Sequence, residues 1–433
     1  MHCDHMRDRA AQPAGRRLGG FFVTALVCLL QAACGGGGGG TAPGATSAGT
    51  GVATSVPTAT GATTPAAASA LSNFQNVSVE PGPVKGVNQL FTSVTVCTPG
   101  DGAACTVIDH VLVDTGSSGL RVFSSLLPAA VKLSQQAAGN GSALVECTQF
   151  ADGFSWGPVK VADVKLGGET VHGVPIQVIA DPNFTTVPAA CSSSGPAEDT
   201  VQTFGSNGVL GVGNFISDCG TACAQRVHPG AYYACASGGC APTVVPVAQQ
   251  VQQPVSMLAQ DNNGTLIRLP AVASPGVATL SGTMIFGIGT QANNGLGSAR
   301  VYGVDPANGT LSISINGTSF AQSFVDSGSN AYFLPLPNVP QCTSGFYCPA
   351  SALQLSAVLQ GTNGNNAALT FTIDNADRLL QNNAALGVLP TLGGSAFGAQ
   401  TVDLGLPFFF GRTVFTALEG RPTPGGPGPY VAF

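Results

Sequence analysis

The chain has 433 residues, enough for a sizeable core in one large or two-lobed body, and only 8% of them are charged. With 59 Gly, 30 Pro and 7% aromatics, it reads as all-β, short strands joined by many turns, rather than as a helical protein. A net charge of −6 argues against a nucleic-acid partner, which needs a basic face, and carries no positive information about substrate.

In chain order, Arg16 and Arg17 precede the 13-residue apolar run "FFVTALVCLLQAA" (21–33). A spanning helix needs about 20 such residues, so residues 1–34 are expected to be a signal peptide. Its end, "LLQAAC", resembles a bacterial lipobox, with Ala33 before the cleavage and Cys34 as the lipidated residue; Gln31 stands where Leu is usual. Gly35 rather than Asp follows, which in such lipoproteins favours the outer membrane. The expectation is an exported protein, anchored to that membrane through Cys34 and either periplasmic or surface-exposed. Residues 35–70 are Gly, Ala, Thr, Ser and Pro almost throughout and read as a flexible tether.

The folded part is expected to begin near Leu71, with one lobe over 71–300 and a second over 301–433. "QLFTSVTVC" and "HVLVD" bracket "TPGDGAACT", a hairpin loop stapled by Cys97 and Cys105. The stretch 158–180 alternates apolar and polar residues around a Gly167-Gly168 turn. Only Ala350–Leu359 and the segment after Pro128 suggest short helices. Three of the 13 cysteines lie in the leader, and the other ten suit disulfides in an oxidising compartment. Cys342 and Cys348 are close enough to staple one loop. Pairing among the rest stays open. The cluster "CGTACAQRVHPGAYYACASGGC" (219–240), with His228 inside, has only loose zinc spacing; two local disulfides in an exposed loop are the preferred reading, with no metal.

One comparison organises the chain. "VLVDTGSSGLRVF" (111–123) and "SFVDSGSNAYFLP" (323–335) share one formula: an apolar strand, Asp, Thr or Ser, Gly, Ser, then apolar residues again. Each is trailed by an apolar-Gly element, "VLGVGNF" (209–215) and "LGLPFFF" (404–410). This is a twofold internal repeat of one β unit. Asp is costly to bury unless something holds it, so a pair of such carboxylates implies chemistry. Two carboxylates about 3 Å apart cannot both ionise and share one proton. One can then take a proton from water while the other donates to a scissile carbonyl. Gly116 and Gly328 let the turns approach, Thr115 and Ser327 can brace them, and Ser117 and Ser329 can donate to the outer carboxylate oxygens. His110, four residues before Asp114, admits a Ser-His-Asp reading; a hydrogen-bonded His near the strand start is preferred. Asp181, Asp199, Asp218, Asp374 and Asp403 stand in turn-like contexts without a matching partner.

On these residues the chain resembles the bilobal, pepsin-like aspartic proteases. "VDTGSSGLRV" and "VDSGSN" match their two active-site strands, "NGVLGVG" and "LGLPFFFGRTVFTAL" the supporting apolar-Gly segments, and "GPYVAF" the last strand. Together with the lipobox-like end and Gly tether, they also resemble bacterial lipoproteins grouped as a domain of unknown function. The resemblance implies a cleft between two β-barrel lobes, catalytic Asp114 and Asp326, a peptide or protein substrate, no cofactor, a monomer and an acidic optimum. It also implies a flap hairpin over the cleft near 149–158. There Phe150 replaces a Tyr and Arg121 replaces the Trp that bonds it, leaving Gly153, Phe154 and Trp156 to meet substrate. The altered flap sustains a competing expectation, an envelope binding lipoprotein that keeps the cleft without turnover.

Overall fold

The structure, a computed structural model, describes residues 73–382 and 385–433; the expected leader, the Cys34 anchor and the tether lie outside them. The described residues are mostly β, in a 16-stranded and a 7-stranded sheet. Helix is confined to brief turns, the longest being Ala376–Asn382.

The motif repeat corresponds to a repeated strand order. In the large sheet, Asp101–Asp114 lies beside Gly208–Val212, then Ser118–Phe123, then Glu169–Ile179. In the small sheet, Thr318–Val325 lies beside Asp403–Leu404, then Tyr332–Leu334, then Gly393–Ser395. The pairing directions repeat as well. Asp114 pairs in parallel with Gly211, and Gly211 antiparallel with Gly119. Val325 pairs in parallel with Leu404, and Leu404 antiparallel with Tyr332. In both units the apolar-Gly segment is therefore wedged between the strand entering the Asp turn and the strand leaving it. The wedge has no room for a side chain at its glycine. A Cβ on Gly211 would lie 2.7 Å from Ser117 Oγ, and one on Gly405 would lie 2.1 Å from the Ala331 carbonyl oxygen.

The large sheet draws strands from both sides of residue 300. Gly264–Arg268 pairs with Thr413–Ala417, and Val301–Gly303 pairs with Tyr430–Ala432. One core cluster runs through both units, with Val113, Leu120 and Val212 from the first and Val325, Leu404 and Phe408 from the second. The two Asp turns stand on that shared core.

Two helix expectations are corrected. Leu353–Gln360 is a strand between Leu311–Ile315 and Asn366–Ile373, with Leu355, Ala357 and Leu359 buried on one face. That alternation has period two, and the flanking strands leave no space for a helix. After Pro128 the chain makes a turn, closed by the Val131 amide on the Pro128 carbonyl at 2.9 Å.

Five disulfides close within the described residues. Cys97–Cys105 and Cys342–Cys348 are the two expected loop staples. Cys219–Cys223 and Cys235–Cys240 are local, as the spacing suggested, and Cys147–Cys191 ties a hairpin to a distant turn. This cysteine usage fits an exported protein in an oxidising compartment. The Cys-rich segment is not a loose loop, however. Tyr232–Ala236 adds to the sheet edge against Ala143–Gln149, and both Tyr232 and Tyr233 are buried. Tyr232 packs with Leu144, Val159 and Val251 on one face and Tyr233 with Trp156, Cys147 and Cys191 on the other, so rings on both faces hold the strand to the sheet. No helix among the described residues is long and apolar enough to cross a membrane.

Candidate active site

Asp114 and Asp326 end their strands at the same place. Buried Val111, Leu112 and Val113 carry the first into the core, and buried Phe324 and Val325 the second. The two turns are locked by four reciprocal bonds. The Thr115 hydroxyl donates to the Val325 carbonyl at 3.2 Å and accepts from the Ser327 amide at 2.9 Å. The Ser327 hydroxyl donates to the Val113 carbonyl at 2.8 Å and accepts from the Thr115 amide at 3.2 Å. Each hydroxyl thus serves as donor and acceptor across the interface, so neither turn can shift without breaking bonds in the other.

This brace sets the carboxyls against each other. The Gly116 amide donates to Asp114 Oδ1 at 2.7 Å and to Asp326 Oδ1 at 3.1 Å. The Gly328 amide donates to Asp326 Oδ1 at 2.8 Å. On the outer sides, Ser117 donates to Asp114 Oδ2, and Ser329 donates to Asp326 Oδ2 at 2.8 Å. The glycines permit the approach: a Cβ on Gly116 would sit 2.8 Å from Asp326 Cγ, and one on Gly328 2.6 Å from Asp114 Oδ1. Asp114 is 3% exposed and Asp326 fully buried. Burial, then the Asp114 charge, then Asp403 push Asp326 well above the usual carboxylate range, opposed by the Gly328 amide.

Asp403 was not among the expected site residues, and its turn-like reading is corrected. It lies in the apolar-Gly strand, paired with Phe324, and is fully buried. In the repeat it occupies the position of Val209, since Gly405 corresponds to Gly211. A carboxyl in place of an apolar residue of a repeated element was the available signal.

A cavity of about 510 Å³ ends against the first turn, walled by Thr115, Gly116 and Ser117, by Phe324 and Val325, by Asn214–Ile216 and by Pro306–Gly309. Phe150 and Gln149 line it from the hairpin formed by Ala143–Gln149 and Phe154–Leu166. The other expected flap residues face elsewhere. Phe154 and Trp156 are buried with Tyr233 and the Cys147–Cys191 disulfide, and Trp156 Nε1 donates to the Phe184 carbonyl at 2.8 Å. Gly153 is pinned beneath Pro196 and Glu198. The two aromatic side chains anchor the hairpin to the sheet because the alternation of the strand turns them inward.

Arg121 is a buried cation on the cavity wall. It donates to Glu146 Oε1 at 2.6 Å, to Asp218 Oδ2 at 3.3 Å and to Thr148 Oγ1 at 2.7 Å. The Tyr232 hydroxyl completes the cluster by donating to Asp218 Oδ1 at 2.6 Å. Asp218 therefore has partners that the linear chain did not reveal. Burial, reinforced by the Glu146 charge, pushes Asp218 well up despite Arg121. His110 stands apart from the site. It is half exposed beside Asp109 and Glu80 and edge-on to Phe91, so no Ser-His-Asp arrangement forms around it.

No curated protein matches the chain. A family model matches residues 69–433, the whole described fold. The chain belongs to the family described as "Protein of unknown function (DUF3443)".

Proposed function

We propose that this protein is an aspartic-type endopeptidase of two-lobed, pepsin-like architecture, with lobes meeting at the two Asp turns. The observation that carries the reading is the shared Gly116 amide. One N–H reaches the inner oxygens of two buried aspartates from separate repeat units, each flanked by its own serine donor. A structural Asx turn needs one carboxylate and one local amide. It does not need two carboxyls pressed together at the cost of charge repulsion.

The chemistry follows from one proton held by the pair. Burial favours that proton on the Asp326 side. Asp114, whose partner Ser117 lines the cavity end, then takes a proton from water as the water oxygen bonds to the peptide carbonyl carbon, while Asp326 gives its proton to the carbonyl oxygen. Collapse of the tetrahedral adduct breaks the C–N bond: the proton on Asp114 passes to the leaving amine, and one adduct hydroxyl returns its proton to Asp326, leaving the product acid and the original pair. An extended peptide would lie along the cavity beneath Phe150. No cofactor is needed. The protein would work as a monomer, exported and held to the outer membrane by a lipid on Cys34.

The pinned hairpin favours one alternative, a binding lipoprotein with a fixed cleft. A peptide-library digest from about pH 3 to about pH 7 separates the two, run on native protein, Asp326→Asn and native protein with a statine-type analogue. The enzyme reading expects cleavage that the analogue blocks and that Asp326→Asn lowers by about 10²- to 10⁴-fold. Peptide binding without cleavage in all samples supports the alternative, and cleavage indifferent to both perturbations refutes the dyad.

A further inference from the structure

We propose that Asp403 is a positioning residue of this site: a third buried carboxyl that acts on Asp326 through the Ser329 hydroxyl and extends the pH range over which the pair keeps its shared proton. The inference rests on the proposed dyad and adds a group that a two-carboxylate site does not require.

The placement is built into the backbone. Asp403 and Phe324 are parallel partners, the Phe324 amide bonds the Val402 carbonyl at 3.1 Å, and the Asp326 amide bonds the Leu404 carbonyl at 3.1 Å. The Leu406 amide closes onto the Ser329 carbonyl at 2.7 Å. The Asp403 side chain is thus held at the foot of the Asp326 turn on the Ser329 side. Ser329 is the hydroxyl that addresses it, and Asp114 is the nearby charge it feels. Ser329 has one hydroxyl proton, and that proton is already donated to Asp326 Oδ2. Among the described residues neither Asp403 oxygen has a well-formed hydrogen-bond donor. An ionised Asp403 would be a buried, unsupported charge, whereas a protonated one can donate to the free lone pairs of Ser329 Oγ.

The surroundings contribute no compensating cation. The neighbouring strands Thr318–Val325, Tyr332–Leu334 and Gly393–Ser395 contain no Lys, Arg or His. Their titratable side chain is Tyr332, stacked on Phe371 and pushed up to about 12 by burial. Arg412, beyond the apolar-Gly element, is turned onto the Phe408 carbonyl and ring. Burial therefore favours the protonated form of both deeper carboxyls, Asp326 and Asp403. Once Asp403 loses its proton, its charge raises the affinity of Asp326 for the last one. The pair keeps its working protonation state to higher pH than two carboxyls alone would, which suits an enzyme outside an acidic compartment.

The test uses the mature chain and Asp403→Asn, an isostere that still donates to Ser329 but never ionises. Two quantities are read: the pH profile of kcat/KM on a cleaved peptide, and the carboxyl carbon titration of Asp-labelled protein by NMR. Asp403→Asn is expected to keep activity at the acid optimum and to move the alkaline limb, and the last Asp titration, to lower pH by about one unit or more. Coincident limbs and titrations in both proteins overturn the proposal. If Asp403→Asn fails to fold, wild type alone decides, because an Asp403 carboxyl titrating in the ordinary carboxylate range overturns it equally. If neither protein cleaves peptide while the NMR shift appears, the enzyme reading fails and the three-carboxyl coupling stands.

Discussion

Glu198 offers the most direct physical test of the hairpin that borders the cavity. Its carboxyl lies under Gly153 and bonds the Asp152 carboxyl at the hairpin tip; burial, then the Asp152 charge, push it up to about 10. The Glu198 amide donates to the Phe154 carbonyl at 2.8 Å, so this residue is part of what pins the tip. The folded state keeps a proton that the unfolded chain releases above its ordinary value of 4.5. For an acid raised in this way, the stabilisation is complete below the unfolded value and is lost as pH rises toward the folded one. At about 1.36 kcal/mol per unit, the loss between pH 4.5 and about pH 7 is on the order of 3 kcal/mol. Glu198→Gln mimics the protonated form at every pH and should remove that slope. Trp156, the only Trp, is buried on the same hairpin and reports its unfolding by fluorescence. Urea titrations at several pH values should show wild type losing about 3 kcal/mol more than Glu198→Gln across this range. Other raised acids, including Asp326 and Asp403, contribute equally to both proteins and cancel. Parallel pH dependences, within about 1 kcal/mol, would refute the assignment of a shared proton to the tip.

Three further outcomes follow from the geometry. Gly328→Ala places a Cβ 2.6 Å from Asp114 Oδ1, so it should cut peptide cleavage by about 10²-fold or more while circular dichroism stays β-like. Arg121→Met leaves Glu146 and Asp218 without their cation and should destabilise by about 3–5 kcal/mol at neutral pH in chemical denaturation; a change under about 1 kcal/mol would show that the cluster is not a buried ion pair. Loss of Cys147–Cys191, whose cysteines are 44 residues apart, should cost about 4 kcal/mol, against about 2 for Cys219–Cys223 with a separation of 4; thermal or urea unfolding of the paired serine variants reads the order directly.

The linear chain determined the parts that local chemistry specifies. Alternating apolar residues, turn glycines and the doubled Asp-Thr/Ser-Gly-Ser formula determine an all-β chain with two equivalent Asp turns, because strand period and turn conformation act over a few residues. The short-range cysteine pairs were legible for the same reason. Tertiary structure alone decided which side chains face one another across many strands. It placed Asp403 beside Asp326, gathered Arg121, Glu146, Asp218 and Tyr232 into one buried cluster, and turned Phe154 and Trp156 into the hairpin's own core. It also made a strand of Leu353–Gln360, whose pattern suits either element until its neighbours are known. A buried carboxyl's proton and an aromatic ring's direction depend on what packs against them, and those contacts join residues up to hundreds of positions apart.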